Sequence, residues 1–415
     1  MSLQLKIDSA RISRHLDRLA EFTDAPPPAV TRVLFTPTDI QARQFIRELM
    51  EDVGLDFRAD PAGNLFGRWI GSEPGLPAVA TGSHCDAIPH SGRYDGTVGV
   101  IGAIEAIAAL RAAGFQPRRS LDVIMFNAEE PTRYGIGCLG SRIMSGRLSP
   151  EAADGLKDEQ GESFATTRTK VGSSGSLTSV RLSKDTYRAF VELHIEQGPL
   201  LEQQNLPIGI VTAIAAPAAL RVKFTGEGGH AGAVLMPQRK DALLPAAELA
   251  LAVERAALEL GGADTVATVG ILEVHPGAIN SIPSRCEMTI DVRDIDLARR
   301  DRVLGEIQKQ IETIGMKRRI VPQVTMINAD PPATCDAQVI AAITAAADDS
   351  KLPAQPMISR AYHDSLFMAL VAPTSMIFIP CRRGVSHRPD EYSSPEAIRS
   401  GVEVLARTLA RLSYD

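Results

Sequence analysis

No stretch of this sequence is apolar for long enough to cross a membrane. The best candidate, DALLPAAELALAVERAALELGG, is interrupted by Glu248 and Glu254 well short of the ~30 Å of hydrocarbon a helix must span. The first residues, MSLQLKIDSARISRHLDRL, alternate charged and apolar side chains without a continuous apolar core, so a secretory leader is not expected. Sustained basic blocks are missing too, and the formal net charge is −6. Without an electrostatic footprint for nucleic acid or an anionic membrane, the expected partner is a small molecule. The five cysteines (Cys85, Cys138, Cys286, Cys335, Cys381) are odd in number, scattered and free of CxxC pairs. That pattern favours reduced thiols in a cytoplasmic protein over a disulfide framework. Internal repeats and low-complexity tracts are absent. What remains is a chain of 415 residues, 44% hydrophobic and 23% charged, with room for two or three globular domains.

Helices are predicted at about 9–21 and 38–52, followed by strands and helices in alternation. Each strand of interest runs into polar residues: PAVATGS (77–83) into HCD, LDVIMF (121–126) into NAEE, AFVEL (189–193) into HIEQGP, and SMIFIP (375–380) into CRRGVSH. Between them, GTVGVIGAIEAIAAL (96–110) repeats apolar residues at helical spacing, which predicts an α/β domain with a buried mixed sheet flanked by helices. Ligands of such sheets bind beyond the carboxyl ends of the strands, where all four polar clusters fall. Residues 212–328 follow a different order, strand, helix, strand, strand, helix, strand, which is that of an α+β ferredoxin-like unit. The chain therefore divides into a first domain of residues 1–211 and 329–415 and an inserted one of 212–328. Residues 151–186, rich in Ser, Thr and Gly, are expected to be the least structured part.

A hydrolytic site for two divalent cations needs imidazoles and carboxylates converging on ions ~3.5–4 Å apart. His84 and Asp86 flank Cys85 and would share one face of an extended segment. Asp95 precedes Gly96 at a helix start, Glu129 and Glu130 follow a buried strand, and His194 and His387 each follow another. Adjacent carboxylates cannot both point one way from an extended backbone, so one of Glu129 and Glu130 can bind metal while the other handles a proton. Singly, each feature has an ordinary reading: a structural histidine, a solvated acidic pair, a turn at the Asp-Gly step. Jointly they leave two readings open, a shared metal site and a set of polar loops.

The motifs GSHCDAIPHSGRYDGTVGV, FNAEEPTRYGIGCLGSR, ELHIEQGPLLE, GGHAGAVLMPQRKDAL, GAINSIPSRCEMTIDVRD and GVSHRPDEYSS, in this order, resemble those of the M20-type metallo-amidohydrolases. More narrowly, they look like the branch of N-carbamoyl-L-amino acid, allantoate and ureidoglycolate amidohydrolases. The resemblance implies His84, Asp95 and His194 on one cation and Asp95, Glu130 and His387 on the other, with Asp95 bridging. It makes Glu129 the general base, and Asp86 the carboxylate that orients His84. It implies two divalent ions per subunit, with Mn²⁺ preferred and Zn²⁺ or Co²⁺ acceptable. The insert becomes a lid and dimerisation domain, and His230 of the HAG motif reaches the partner's site in a homodimer to stabilise an oxyanion. Asn280 and Arg293 match substrate-carboxylate positions; the alternative for Arg293 is a structural salt bridge with Asp291 or Asp294. Gln197 matches a contact near the metals.

HIEQGP carries a histidine where peptidase relatives carry a carboxylate, which argues against peptide cleavage. PTRYGIGCLGSR and RAYHDSLFMA look closest to the ureidoglycolate amidohydrolases, making Tyr362 and His363 pocket candidates. The alternative for that stretch is a helix start capped by Asp364. Cys85 is expected to be a buried small side chain. The expected reaction is hydrolysis of the ureido amide of ureidoglycolate. Allantoate and N-carbamoyl amino acids, including those of β-ureidopropionase-like enzymes, are the rival substrates, and a non-catalytic binding protein on the same fold is the rival from another class.

Overall fold

A computed structural model describes residues 3–414. By its contacts the chain divides into two compact units. The first holds the residues up to Thr212, Cys335–Ser359 and those from His363 onward; the second holds Ala213–Thr334 with Arg360–Tyr362.

The first unit is built on a mixed sheet. Its strands lie side by side in the order Asp56–Ala59, Leu65–Trp69, Leu121–Phe126, Ala78–His84, Tyr187–Ile195, Thr374–Ile379 and Ile208–Ile214, with Ala354–Ser359 also pairing the last. The four strands from Leu121–Phe126 to Thr374–Ile379 are parallel to one another. Their residues are buried almost without exception, as a parallel sheet covered on both faces requires. The register aligns their carboxyl ends. His84 stands opposite Phe126, and His194 opposite Phe378. Four distant chain segments therefore leave the sheet at the same edge.

Helix Thr97–Ala112 lies against this sheet and is buried on nearly every side. Gly99 permits the approach, since a Cβ there would sit 2.4 Å from the carbonyl oxygen of Leu193. The helices Ser9–Ala20 and Pro395–Tyr414 complete the layer through Ile12, Leu16, Val402, Leu405 and Leu409.

The segment read as least structured is in fact folded. It forms the short helices Pro150–Asp154 and Phe164–Lys170 and a 3₁₀ turn at Leu177–Val180. Phe164, Leu177 and Val180 are buried in a second core with Phe126, Phe190 and Met144. Ala153 is buried with them, and Leu156, Val171 and Leu182 pack against this core.

In the second unit an antiparallel sheet runs in the order Val266–His275, Arg285–Asp294, Ala216–Thr225, Pro322–Ala329. Helices Leu243–Leu260 and Leu297–Arg318 supply the rest of its core. Strand Arg285–Asp294 buries every second side chain, Cys286, Met288, Ile290 and Val292, against the helices, the period-two pattern of a sheet covered on one face.

Candidate active site

At the carboxyl edge of the parallel strands, two groups of potential ligands share one carboxylate. His84 Nε2 and His194 Nε2 lie 3.5 and 3.2 Å from Asp95 Oδ1. On the other side, His387 Nε2 lies 3.5 Å from Asp95 Oδ2 and 3.1 Å from Glu130 Oε1. Within each group the ligand atoms fall within 4.8 Å of one another. His84 Nδ1 is 3.0 Å from the carbonyl oxygen of Asp86, and His194 Nδ1 is 2.8 Å from that of Ile195. A ring that donates from Nδ1 to a carbonyl presents its Nε2 lone pair on the other side; both Nε2 atoms face Asp95, and that of His194 accepts the Gly96 N–H at 3.1 Å.

The local backbone departs from ordinary geometry around these residues. Ala128, Cys138, Gln197 and His387 all have positive φ, between 51° and 58°. Non-glycine residues in that region store strain and gather at functional sites. Gly96 (φ 65°) must be glycine for a second reason: a Cβ there would lie 2.4 Å from the His84 ring.

Asp86 accepts the backbone N–H groups of Glu129 (3.2 Å) and Glu130 (3.0 Å), and its Oδ1 is 3.5 Å from His84 Nδ1. It thus ties the first histidine to the acidic pair. Gln197 Nε2 donates to Asp95 Oδ2 at 2.7 Å, while its Oε1 is buried with no hydrogen-bond partner among the described residues.

Two residues of this shell are not singled out by sequence reasoning. Glu391 Oε1 accepts the N–H groups of Tyr94 (2.7 Å) and Asp95 (3.1 Å), and the Ser386 hydroxyl bridges Asp95 and Glu391. Both flank His387 in GVSHRPDEYSS, so the signal lay within that motif.

Buried carboxylates outnumber the imidazoles here, and the proton affinities reflect it. Burial disfavours a charged His84 ring, but Glu129, Asp86 and Asp95 outweigh it and hold the ring well above its usual pKa. His194 is raised by Asp95 against the same penalty, and His387 is raised to about 9 by its bond to Glu130. Asp95, despite burial, is held well below its usual range by His194 and His84. Burial pushes Glu129 and Glu130 up. A cluster that must share protons to remain buried is one that a cation neutralises more directly. Imidazole nitrogens with carboxylate oxygens fit a divalent transition-metal ion.

A third group, Glu192, His194 and His363, is of another kind. Glu192 is occupied by the Ser83 hydroxyl (2.7 Å) and by the N–H and hydroxyl of Ser365 (3.1 and 2.6 Å). His363 is bonded to the Ser359 hydroxyl at 3.1 Å, and its ring packs 4.5 Å from that of His194. These groups support His194 from behind. Asp364 does not cap the following helix, as one reading of the sequence had it. His363 stands at the N-cap, its side chain making no capping bond to the helix, and the buried Asp364 carboxylate accepts from Ser141. Cys85 is buried, and burial pushes its thiol up to about 12.

His230, Asn280, Arg293 and Tyr362 belong to the second unit. His230 lies in a two-residue strand paired with Ser281–Ile282; it is exposed, and its Nδ1 accepts the Gly232 N–H. Asn280 is exposed on the neighbouring turn, its carbonyl accepting the Ala231 N–H. Arg293 forks onto Asp291 (2.8 and 3.2 Å), with its guanidinium 5.5 Å from the Tyr362 ring. Asp294, the other candidate partner, is taken by Arg299.

The model of peptidase family M20/M25/M40 matches residues 80–411, a span that includes every residue of both ligand groups. The chain belongs to this family. Among M20 relatives, the ureidoglycolate hydrolase of Arabidopsis thaliana is 55% identical, covering 100% of this chain and 89% of its own. That of Oryza sativa subsp. japonica is 57% identical, covering 98% and 85%. Crystal structures of AtUAH in complex with (S)-hydroxyglycine and with glyoxylate superpose with a TM-score of 0.94 at 55% identity, covering 99% of each chain. Allantoate and N-carbamoyl-L-amino-acid amidohydrolases of the branch also match, at 31% identity for that of Bacillus subtilis and 35% for that of Pseudomonas sp.. The M20 chain thus shares its mixed α/β fold with hydrolases of linear amides.

Proposed function

We propose that this M20 protein hydrolyses the terminal ureido amide of ureidoglycolate. Water adds to the ureido carbon and ammonia leaves. The resulting carbamate loses carbon dioxide, and the remaining hydroxyglycine breaks down to glyoxylate and a second ammonia. The observation that carries this reading is the identity of more than half to two ureidoglycolate hydrolases over essentially the whole chain.

His84, Asp95 and His194 would hold one divalent cation and Asp95, Glu130 and His387 a second, Mn²⁺ in preference to Zn²⁺ or Co²⁺. When bound, such ions supply Lewis-acid polarisation of the ureido oxygen and a more acidic water. Glu129 takes the proton of the attacking water and returns it to the leaving amine. Asp86 keeps Glu129, Glu130 and His84 in one frame through its two N–H bonds and its contact with the ring. Gln197 offers its unpartnered Oε1 to the N–H groups of the ureido end. Asn280 and Arg293 bind the substrate carboxylate with Tyr362 and His363 beside them, and Arg293 then exchanges Asp291 for the substrate. His230 of the partner subunit in a homodimer donates to the developing oxyanion, the second unit serving as lid and dimerisation domain.

The test is ammonia release from ureidoglycolate, allantoate, N-carbamoyl-β-alanine and N-carbamoyl-L-amino acids after reconstitution with Mn²⁺, Zn²⁺ or Co²⁺. Ureidoglycolate with Mn²⁺ is expected to be fastest. A rate more than about tenfold higher on another of these compounds would overturn the substrate.

A further inference from the structure

The two oxygens of Glu129 have different surroundings. Oε2 lies 3.7 Å from His84 Nε2, on the side of the ligand cluster. Oε1 lies 3.5 Å from Sγ of Cys138, within reach of an S–H···O bond. No other hydrogen bond reaches this carboxylate from the described residues.

Cys138 is held in place by backbone pairing. Its N–H donates to the Glu129 carbonyl, the Leu139 N–H to Ala128, and the Gly140 N–H to Asn127, each at 2.8 Å. Residues 127–129 are thereby clamped against 138–140, and the thiol arrives beside Glu129 from its own backbone partner. Cys138 also occupies the left-handed region, φ 53° and ψ 37°, at the start of helix Leu139–Ser145. Glycine would sit there without strain, and a Cβ-bearing residue does not. The strained residue carries the one donor that, among the described residues, meets this carboxylate. Cys138 is buried, and burial pushes its thiol up, so the sulfur keeps its proton.

We propose that Cys138 is a positioning residue for the general base: its thiol holds Glu129 Oε1, so that Oε2 faces the water to be deprotonated. The proposal rests on the reading of Glu129 as that base. It deepens the reading by explaining how a lone carboxylate on a loop keeps one orientation. A misaligned base loses rate without losing substrate.

The experiment uses the manganese-loaded full chain and whichever of the four substrate classes is hydrolysed fastest. Cys138→Ala removes the donor. Cys138→Gly removes it too and tolerates the left-handed backbone, which guards against a variant that does not fold. Both are expected to lower kcat about tenfold, the loss of one modest hydrogen bond, with KM and bound-metal content unchanged. Cys138→Ser, which restores a donor of similar size, is expected to stay within about twofold of the parent. In a Glu129→Gln background, Cys138→Gly should cost nothing further, since the base it positions is gone.

Parent-like kcat in Cys138→Gly, a Ser variant as slow as the Gly variant, or an undiminished further loss on top of Glu129→Gln would each overturn the proposal. If Glu129→Gln is slow while the Cys138 variants are not, only the positioning role fails. If Glu129→Gln keeps the parent rate, the general-base reading fails, and this proposal with it.

Discussion

A methyl group at position 96 would occupy space that the His84 ring already fills. Its carbon would lie 2.4 Å from ring atoms, on a backbone with φ 65°. Gly96→Ala is therefore expected to push His84 away from Asp95, weakening divalent-metal affinity about 10- to 100-fold and destabilising the fold by ~1–3 kcal/mol. Metal titration and thermal melts check the two effects separately.

Glu391 gives a second test at this scale. Burial, and then the nearby Asp95, raise its carboxyl to about 7. Between the unfolded value of about 4.3 and this one, the folded state keeps a proton that the unfolded chain has lost, so stability falls as pH rises through that window. In chelator-treated protein, Glu391→Gln is expected to remove on the order of 3 kcal/mol of that fall. Urea melts between pH 4.5 and 8 measure it, and an unchanged slope would refute it.

Residues such as His84 and His194 were legible because they stand at the ends of apolar runs. Glu391, Ser386 and Cys138 were not. All three lie inside the family motifs, but their roles come from what they touch across many residues of sequence, which the motifs by themselves do not specify.

Secondary structure followed the sequence where apolar periodicity was strong. LDVIMF, predicted at 121–126, is strand Leu121–Phe126, and the helix expected over 96–110 is Thr97–Ala112. It failed at 151–186, where composition averages over scattered apolar anchors. Phe164 is fully buried there, and Phe164→Ala should cost about 3–5 kcal/mol, seen as an earlier urea midpoint.

Another element turns outward. Helix Leu243–Leu260 exposes Leu244, Leu251 and Leu258 at seven-residue spacing, by 38, 66 and 79%. Edge strand Val266–His275 of the same unit exposes Ile271 and Leu272. Apolar stripes of this kind mark association surfaces. Under the proposed homodimer reading, Leu251→Glu with Leu258→Glu is expected to convert a dimer to a monomer in light scattering, and a dimer that persists would place the interface elsewhere.

For the whole molecule, the order of six motifs was enough to indicate the family, whereas substrate choice rests on a few side chains whose chemistry many ureides would satisfy. The proposed shared-site homodimer can be tested by complementation. Mixed His230→Ala and Asp95→Ala chains form hybrids with one complete site of two, so random mixing should restore roughly a quarter of the parent activity. No recovery despite hybrid formation would show that His230 does not act across subunits.

The two ligand groups also differ in shelter. His84 and His194 are 1 and 0% exposed, while the His387 side chain is 45% exposed. Under the two-cation reading this sets an order of departure. An ion held through His387 is open to water and to competing chelators, whereas one between His84 and His194 can leave only after its neighbours move. Metal release into a chelator should then be biphasic, activity should fall with the fast phase, and replenished metal should restore it most readily before the slow phase has begun.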